Sequence, residues 1–148
     1  MASAKTEYGV ASLDLGVTKA LAGFIAGLRF ADLPAPVVHE ARRGVMDMIG
    51  CALAASRHPT IANLLDTFAA TGSAPVARVL GQGGVRLGLL DAPVANGQMG
   101  HLLDFDDTHM GGVVLHTSSP LLAALLALAE HRPVSGRDLI VAYVAGFE

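Results

Sequence analysis

The run Ser119-Pro120-Leu121-Leu122-Ala123-Ala124-Leu125-Leu126-Ala127-Leu128-Ala129-Glu130 decides the fold. A Ser-Pro helix start leads into nearly unbroken Leu and Ala, and a helix that is apolar all round must be buried. Two settings offer that: a bilayer or a protein core. The uncharged stretch from Gly111 to Ala129 would reach across a bilayer, but His116, Thr117, Ser118, Ser119 and Pro120 interrupt it. The apolar part from Leu121 to Ala129 is too short, since a span needs ~20 residues. The reading is a core helix of a soluble protein, with Leu125 expected inside and no membrane partner.

The composition agrees. The 148 residues are 52% hydrophobic but only 5% aromatic, with no Trp, and the mean hydropathy is +0.50. The apolar content is therefore Ala, Leu and Val, which favours close-packed helices. The net charge of −3 argues against a nucleic-acid surface, which would be basic and clustered. The one cysteine, Cys51, allows no internal disulfide and fits a reducing compartment. The N-terminus lacks a basic region followed by an apolar one, so no signal peptide is expected and the location is read as cytoplasmic.

Outward from the core run, the helical signals repeat. Asp14 is placed to cap a first helix with Val17, Leu21, Phe24, Ile25 and Leu28 on one face. Pro34 or Pro36 suits the first turn of a second helix, with Val38, Ala41, Val45, Met48, Ile49, Ala52 and Leu53 as its stripe. His58-Pro59 breaks it, and Thr60 is expected to cap a short third helix carrying Ile61, Leu64, Leu65 and Phe68. Ala77-Arg78-Val79-Leu80 alternates as a short strand does, and Gly81-Gln82-Gly83-Gly84 reads as a turn rather than a phosphate loop, because no Lys-Ser/Thr pair follows. Asp91-Ala92-Pro93 supplies a cap and first turn. Ser135-Gly136-Arg137-Asp138 is a capping box for the last helix. The expected fold is all-α, five or six helices with at most one short strand or hairpin near 77–80, and residues 1–12 are expected to form a flexible tail.

The chemistry is concentrated in one place. His101, His109 and His116 fall within sixteen residues, together with Asp104, Asp106 and Asp107. If the helix from Asp91 continues past His101, then His101, Asp104 and Thr108 share one face at i, i+3 and i+7. Crowded carboxylates and imidazoles shift one another's pKa values and suit proton transfer. Two other readings stand beside this. Asp104-Phe105-Asp106-Asp107-Thr108 reads equally as a loop whose carboxylates cap the next backbone, and His and Asp are ligands for zinc or iron. The segment lacks the paired-His helix signature of zinc proteases. Asp47 reads as a buried structural hydrogen-bond partner, Cys51 as packing, and His39, His58 and His131 as surface or turn residues. Ser118 and Ser119 lack a nucleophile elbow.

The segment Asn96-Gly97-Gln98-Met99-Gly100-His101-Leu102-Leu103-Asp104-Phe105-Asp106-Asp107-Thr108-His109 closely resembles the signature of the MmgE/PrpD family. Ala31-Asp32-Leu33-Pro34, Ala77 to Gly81, Leu115 to Ser118 and Leu125 to Glu130 resemble further family segments. The resemblance implies the family's large helical domain, a homodimer, and a second, α+β domain beyond it, so that 1–148 is a truncated N-terminal part. It implies lyase chemistry on a small di- or tricarboxylic acid, by dehydration, decarboxylation or epimerisation, with no metal and no organic cofactor. By the same resemblance Asp104, Thr108 and His116 are catalytic residues lining the cleft, with His109 as a substrate-binding neighbour. Thr117 departs from the family's usual Pro. No Lys or Arg occurs between Arg86 and Arg132, so the cations that would hold substrate carboxylates are expected elsewhere, and the chain alone is expected to be inactive.

Overall fold

The computed structural model describes residues 16–111 and 114–148; the expected tail over 1–12 and the Asp14 cap lie outside them. Six α-helices and one two-stranded hairpin make up the described residues: α1 Val17–Gly27, α2 Ala35–Ala55, α3 Pro59–Ala70, β1 Ala77–Arg78, β2 Arg86–Leu87, α4 Asp91–His101, α5 Ser118–His131 and α6 Gly136–Phe147, with a 3-10 turn at Phe30–Asp32. This is the all-α domain with a short hairpin that the sequence predicts. No helix among the described residues is long and apolar enough to cross a membrane.

The α4–α5 pair is the spine, and α2 packs on both. Around it the core divides in two. Ala52, Ile61, Val79, Leu87, Ala95, Met99 and Ala127 form one cluster between α2, α3, α4 and the hairpin. Ala41, Met48, Leu122, Ala123, Ile140, Tyr143 and Val144 form the other, between α2, α5 and α6. Small residues at the crossings let backbones approach. At Gly100 a Cβ would sit 2.8 Å from Ser119 Oγ, so α4 and α5 close over Ser119 only because that position is glycine.

The core run behaves as a helix with one wet edge. Leu122, Ala123 and Ala127 are buried, Leu125 is partly buried, and Leu128 is 43% exposed. The fully enclosed leucine is therefore Leu122, not Leu125. Leu122→Ala should cost about 2–5 kcal/mol by leaving a cavity, read by urea denaturation; a change below about 0.5 kcal/mol would place α5 at the surface.

Local signals resolve with shifts of a residue or two. Ser135 and Asp138 make the expected capping box on α6, and the two hydrogen bonds from Ser135 hold the Asp138 carboxyl below its ordinary pKa. The α3 cap is His58, whose Nδ1 accepts from Thr60 N at 3.2 Å, rather than Thr60. Asp91 stands one place inside α4 and takes the Ser73 hydroxyl at 2.5 Å instead of capping. The hairpin turn uses Gly81, Gly83 and Gly84 at positive φ, and buried Asn96 ties α4 to the hairpin through Leu80 N and Arg78 O. Asp47 is exposed on α2, not buried in a hydrogen bond.

The α1 stripe is the largest departure. Val17, Leu21, Phe24 and Ile25 are 52%, 53%, 41% and 57% exposed, and α1 buries none of its residues. Its periodicity specifies an apolar face, but the described residues offer that face only a slight contact with α6.

Candidate active site

Helix α4 ends at His101, so the one-face arrangement of His101, Asp104 and Thr108 is not formed. The backbone instead turns at Asp104, which takes φ 56°, a left-handed conformation that Asp tolerates better than most residues. That turn sorts three carboxylates that look alike in the sequence. Asp104 points out, with its side chain 79% exposed, whereas the Asp106 side chain is fully buried. Asp107 reaches forward so that its Oδ1 accepts from Ser118 N at 3.2 Å, a carboxylate on the N-terminus of α5 where the helix dipole favours it. The capping interpretation is thus right for Asp107.

Asp106 is the centre of the cluster. Its Oδ2 accepts the Ser119 hydroxyl at 2.6 Å, and His101 Nδ1 lies 3.0 and 3.2 Å from its two oxygens. Burial alone would raise its pKa, but the Ser119 and His101 hydrogen bonds and the His101 charge outweigh burial and hold the carboxyl below its ordinary value. Sequence reading did not single out Asp106. The available signal was its position five residues after His101 and thirteen before Ser119, two residues that α4 and α5 bring together.

His116 completes the arrangement from the segment before α5. Its Nδ1 lies 3.3 Å from Asp106 Oδ1 and its Nε2 lies 3.7 Å from Asp104 Oδ1. The first of these lacks hydrogen-bond geometry, and His116 Nδ1 is a buried nitrogen without a hydrogen-bond partner. Leaving such a group unsatisfied costs about 1–3 kcal/mol. The His101 and His116 rings are tilted by 57° with centroids 4.5 Å apart.

Of the four residues singled out in the sequence, the structure brings Asp104 and His116 together. Thr108 is exposed and its hydroxyl donates to Asp106 O at 3.2 Å. His109 is exposed and pairs through its backbone with Leu115 in an isolated bridge. Neither belongs to the group formed by His101, Asp104, Asp106 and His116. None of the four lines the large groove of the described residues, a space of about 960 Å³ between α2, α6 and the Phe105–Asp107 loop. Its walls include Met46, Asp47, Cys51, Phe105, Tyr143 and Phe147. Tyr143 at its edge is hydrogen-bonded to Ser118. Burial, with Asp107 and Asp47 near, raises the Tyr143 pKa despite the Ser118 hydrogen bond. Burial first, then the charges of Asp47, Asp106 and Asp107, raises that of Cys51. The groove is thus largely apolar, with charged residues such as Glu40, Arg43 and Asp47 also on its walls, and none of His101, Asp104, Asp106 and His116 lines it.

A buried carboxylate beside two imidazoles is a grouping whose chemistry suits proton transfer. The chain belongs to the MmgE/PrpD family: the family's N-terminal domain matches residues 19–148. It is similar to the cis-aconitate decarboxylase-like protein oryM of Aspergillus oryzae, 35% identical over 142 residues that cover 89% of this chain and 28% of that protein. It is also similar to a cis-aconitate decarboxylase of Aspergillus terreus, 29% identical over 138 residues that cover 90% of this chain and 28% of that protein. The chain spans little more than a quarter of the length of these relatives.

Proposed function

We propose that this chain supplies the N-terminal helical part of an MmgE/PrpD-type lyase acting on a small di- or tricarboxylic acid by acid/base proton transfer. The observation that carries the reading is the His116 imidazole set between two carboxylates, Asp106 beside Nδ1 and Asp104 beside Nε2. With a carboxylate beside one nitrogen, the other nitrogen of an imidazole is left to move a proton. In this reading buried Asp106 stands beside the ring as a fixed charge, and His116 and exposed Asp104 form the working pair. Thr108 joins the catalytic set, and His109 contacts substrate. The names of the similar proteins favour decarboxylation over dehydration or epimerisation. Loss of CO2 from an unsaturated tricarboxylate leaves an electron pair that must take up a proton, and His116 supplies it. The test is a panel of cis-aconitate, citrate, 2-methylcitrate and iminodisuccinate on a protein of the relatives' full length carrying this domain. Turnover of one of them supports the reading, and turnover of none overturns it.

The substrate's own charges bear on what 148 residues can do alone. Two or three carboxylates would meet Asp104, Asp106 and Asp107, and each like-charge pair at 4 Å costs about 1 kcal/mol in water and about 4 kcal/mol near a protein surface. Arg78 and Arg86 are both engaged with Glu130, at 3.3 and 3.0 Å. In this reading the binding cations come from outside this segment, and the chain by itself is expected to show no turnover of the panel.

A second reading, a non-catalytic helical module that self-associates, is favoured by the exposed α1 stripe and the open α2–α6 groove. Apolar surface on this scale marks an interaction face, and it agrees with a homodimeric enzyme in the cytoplasm, where Cys51 stays a thiol. Light scattering on the 148-residue chain at tens of micromolar is expected to show dimers or larger species; a clean monomer would overturn self-association.

A further inference from the structure

We propose that His101 is a further proton carrier of this site: held by the buried pair Ser119 and Asp106, it returns a proton from solvent to His116 after each turnover. The inference rests on the lyase reading and adds a group outside the catalytic set given above. The reaction creates the need. When a carboxylate leaves as CO2, its electron pair stays on carbon and takes a proton from His116, so a C–H bond replaces the C–C bond. His116 is then neutral and must regain one proton before the next cycle. Its side chain is only 25% exposed and its Nδ1 is buried, whereas the His101 side chain is 50% exposed. The two ring centroids are 4.5 Å apart, and a ring nitrogen of one falls within 4.8 Å of a ring nitrogen of the other, the span of one bridging water. Protonated His101 passes its proton across that gap, becomes neutral, and takes another from solvent or buffer, while Asp106 remains a carboxylate throughout.

A carrier must also be held in place, and the hydrogen bonds favour His101. Its Nδ1 lies 3.0 and 3.2 Å from the two Asp106 oxygens in hydrogen-bond geometry, whereas His116 Nδ1, 3.3 Å from Oδ1, makes no such bond. An ionised carboxylate only accepts, so the proton of that bond belongs to His101 Nδ1. With Nδ1 held, Nε2 on the other side of the ring is the nitrogen through which a proton is taken up from solvent. Asp106 is fixed in turn, because the Ser119 hydroxyl donates to its Oδ2 at 2.6 Å and Ser119 is 1% exposed. His101 ends α4 and Ser119 belongs to α5, so two packed helices hold the ends of the chain Ser119–Asp106–His101. Ser119 and Asp106 are positioning residues in this arrangement; neither carries the proton.

The experiment has two arms. In a protein of the relatives' full length that carries this domain, His101→Ala should lower kcat in dilute buffer by about 10²-fold, the lower end of what a positioned proton carrier contributes, with KM unchanged. Added imidazole should restore most of the loss in a concentration-dependent way, because a soluble base replaces the missing ring, and should leave the parent unmoved. A merely structural His101 would show no such rescue. His39→Ala, exposed on α2, is the control and should behave as the parent, and circular dichroism verifies that each variant is folded. The second arm needs no variant and no substrate: histidine-nitrogen NMR of the 148-residue chain should find neutral His101 with its proton on Nδ1. A His101→Ala variant with the parent's kcat, a loss that imidazole fails to restore, or a His101 proton on Nε2 would overturn the relay. A parent that turns over none of the panel overturns the lyase reading and this step with it, so the parent's own activity tells the two failures apart.

Discussion

His116→Ala, made in a protein of the relatives' full length that carries this domain, is expected to lower turnover by about 10²–10⁴-fold, the usual contribution of a positioned acid or base. The same change is expected to alter stability by less than about 1 kcal/mol. The structure separates the two effects. His116 Nδ1 makes no hydrogen bond, and its Nε2 faces an Asp104 side chain that is 79% exposed at 3.7 Å. Exposed pairs of that kind contribute about 0–1 kcal/mol. Little native stability is lost with the ring, and its unsatisfied nitrogen is relieved. The check is kcat and KM for the turned-over substrate beside a urea denaturation curve. A fall in kcat with an unchanged curve agrees with the assignment. A destabilised variant whose residual folded fraction turns over normally would return His116 to a structural role.

Asp106 should behave in the opposite way. Asp106→Ala removes the acceptor of the Ser119 hydroxyl and of His101 Nδ1, and leaves Ser119, which is 1% exposed, with an unpaired hydroxyl. Lost hydrogen bonds to a charged group and an unsatisfied buried donor together should cost about 3 kcal/mol. The effect carries a pH signature. The folded-state pKa of Asp106 is lowered, so its stabilisation is fully present above the unfolded value of about 3.9 and is lost as pH falls through the lower folded value. The stability gap between the parent chain and Asp106→Asn should accordingly be widest near neutrality and shrink in acid below about pH 4. Denaturation curves at a series of pH values measure it. A gap that is constant or grows toward acid would mean that the carboxylate is not stabilised as its contacts indicate.

The remaining contrast is between what the amino-acid order determined and what folding decided. The helices of the described residues, the hairpin turn and the Ser135–Asp138 box are written locally, because periodicity, turn glycines and caps act across only a few residues. The cluster itself was equally legible, since imidazoles and carboxylates crowd between His101 and His116. Their division of labour was not. Asp104, Asp106 and Asp107 are the same residue type within four positions; one is exposed, one buried and one at a helix terminus because α4 stops at His101 and the backbone turns left-handed at Asp104. The importance of Asp106 depends on Ser119, thirteen residues away, and on Gly100 allowing α4 to close over it. In α1 the local pattern specifies an apolar stripe, but burial requires a partner surface, and a stripe's periodicity carries no information about where that surface is.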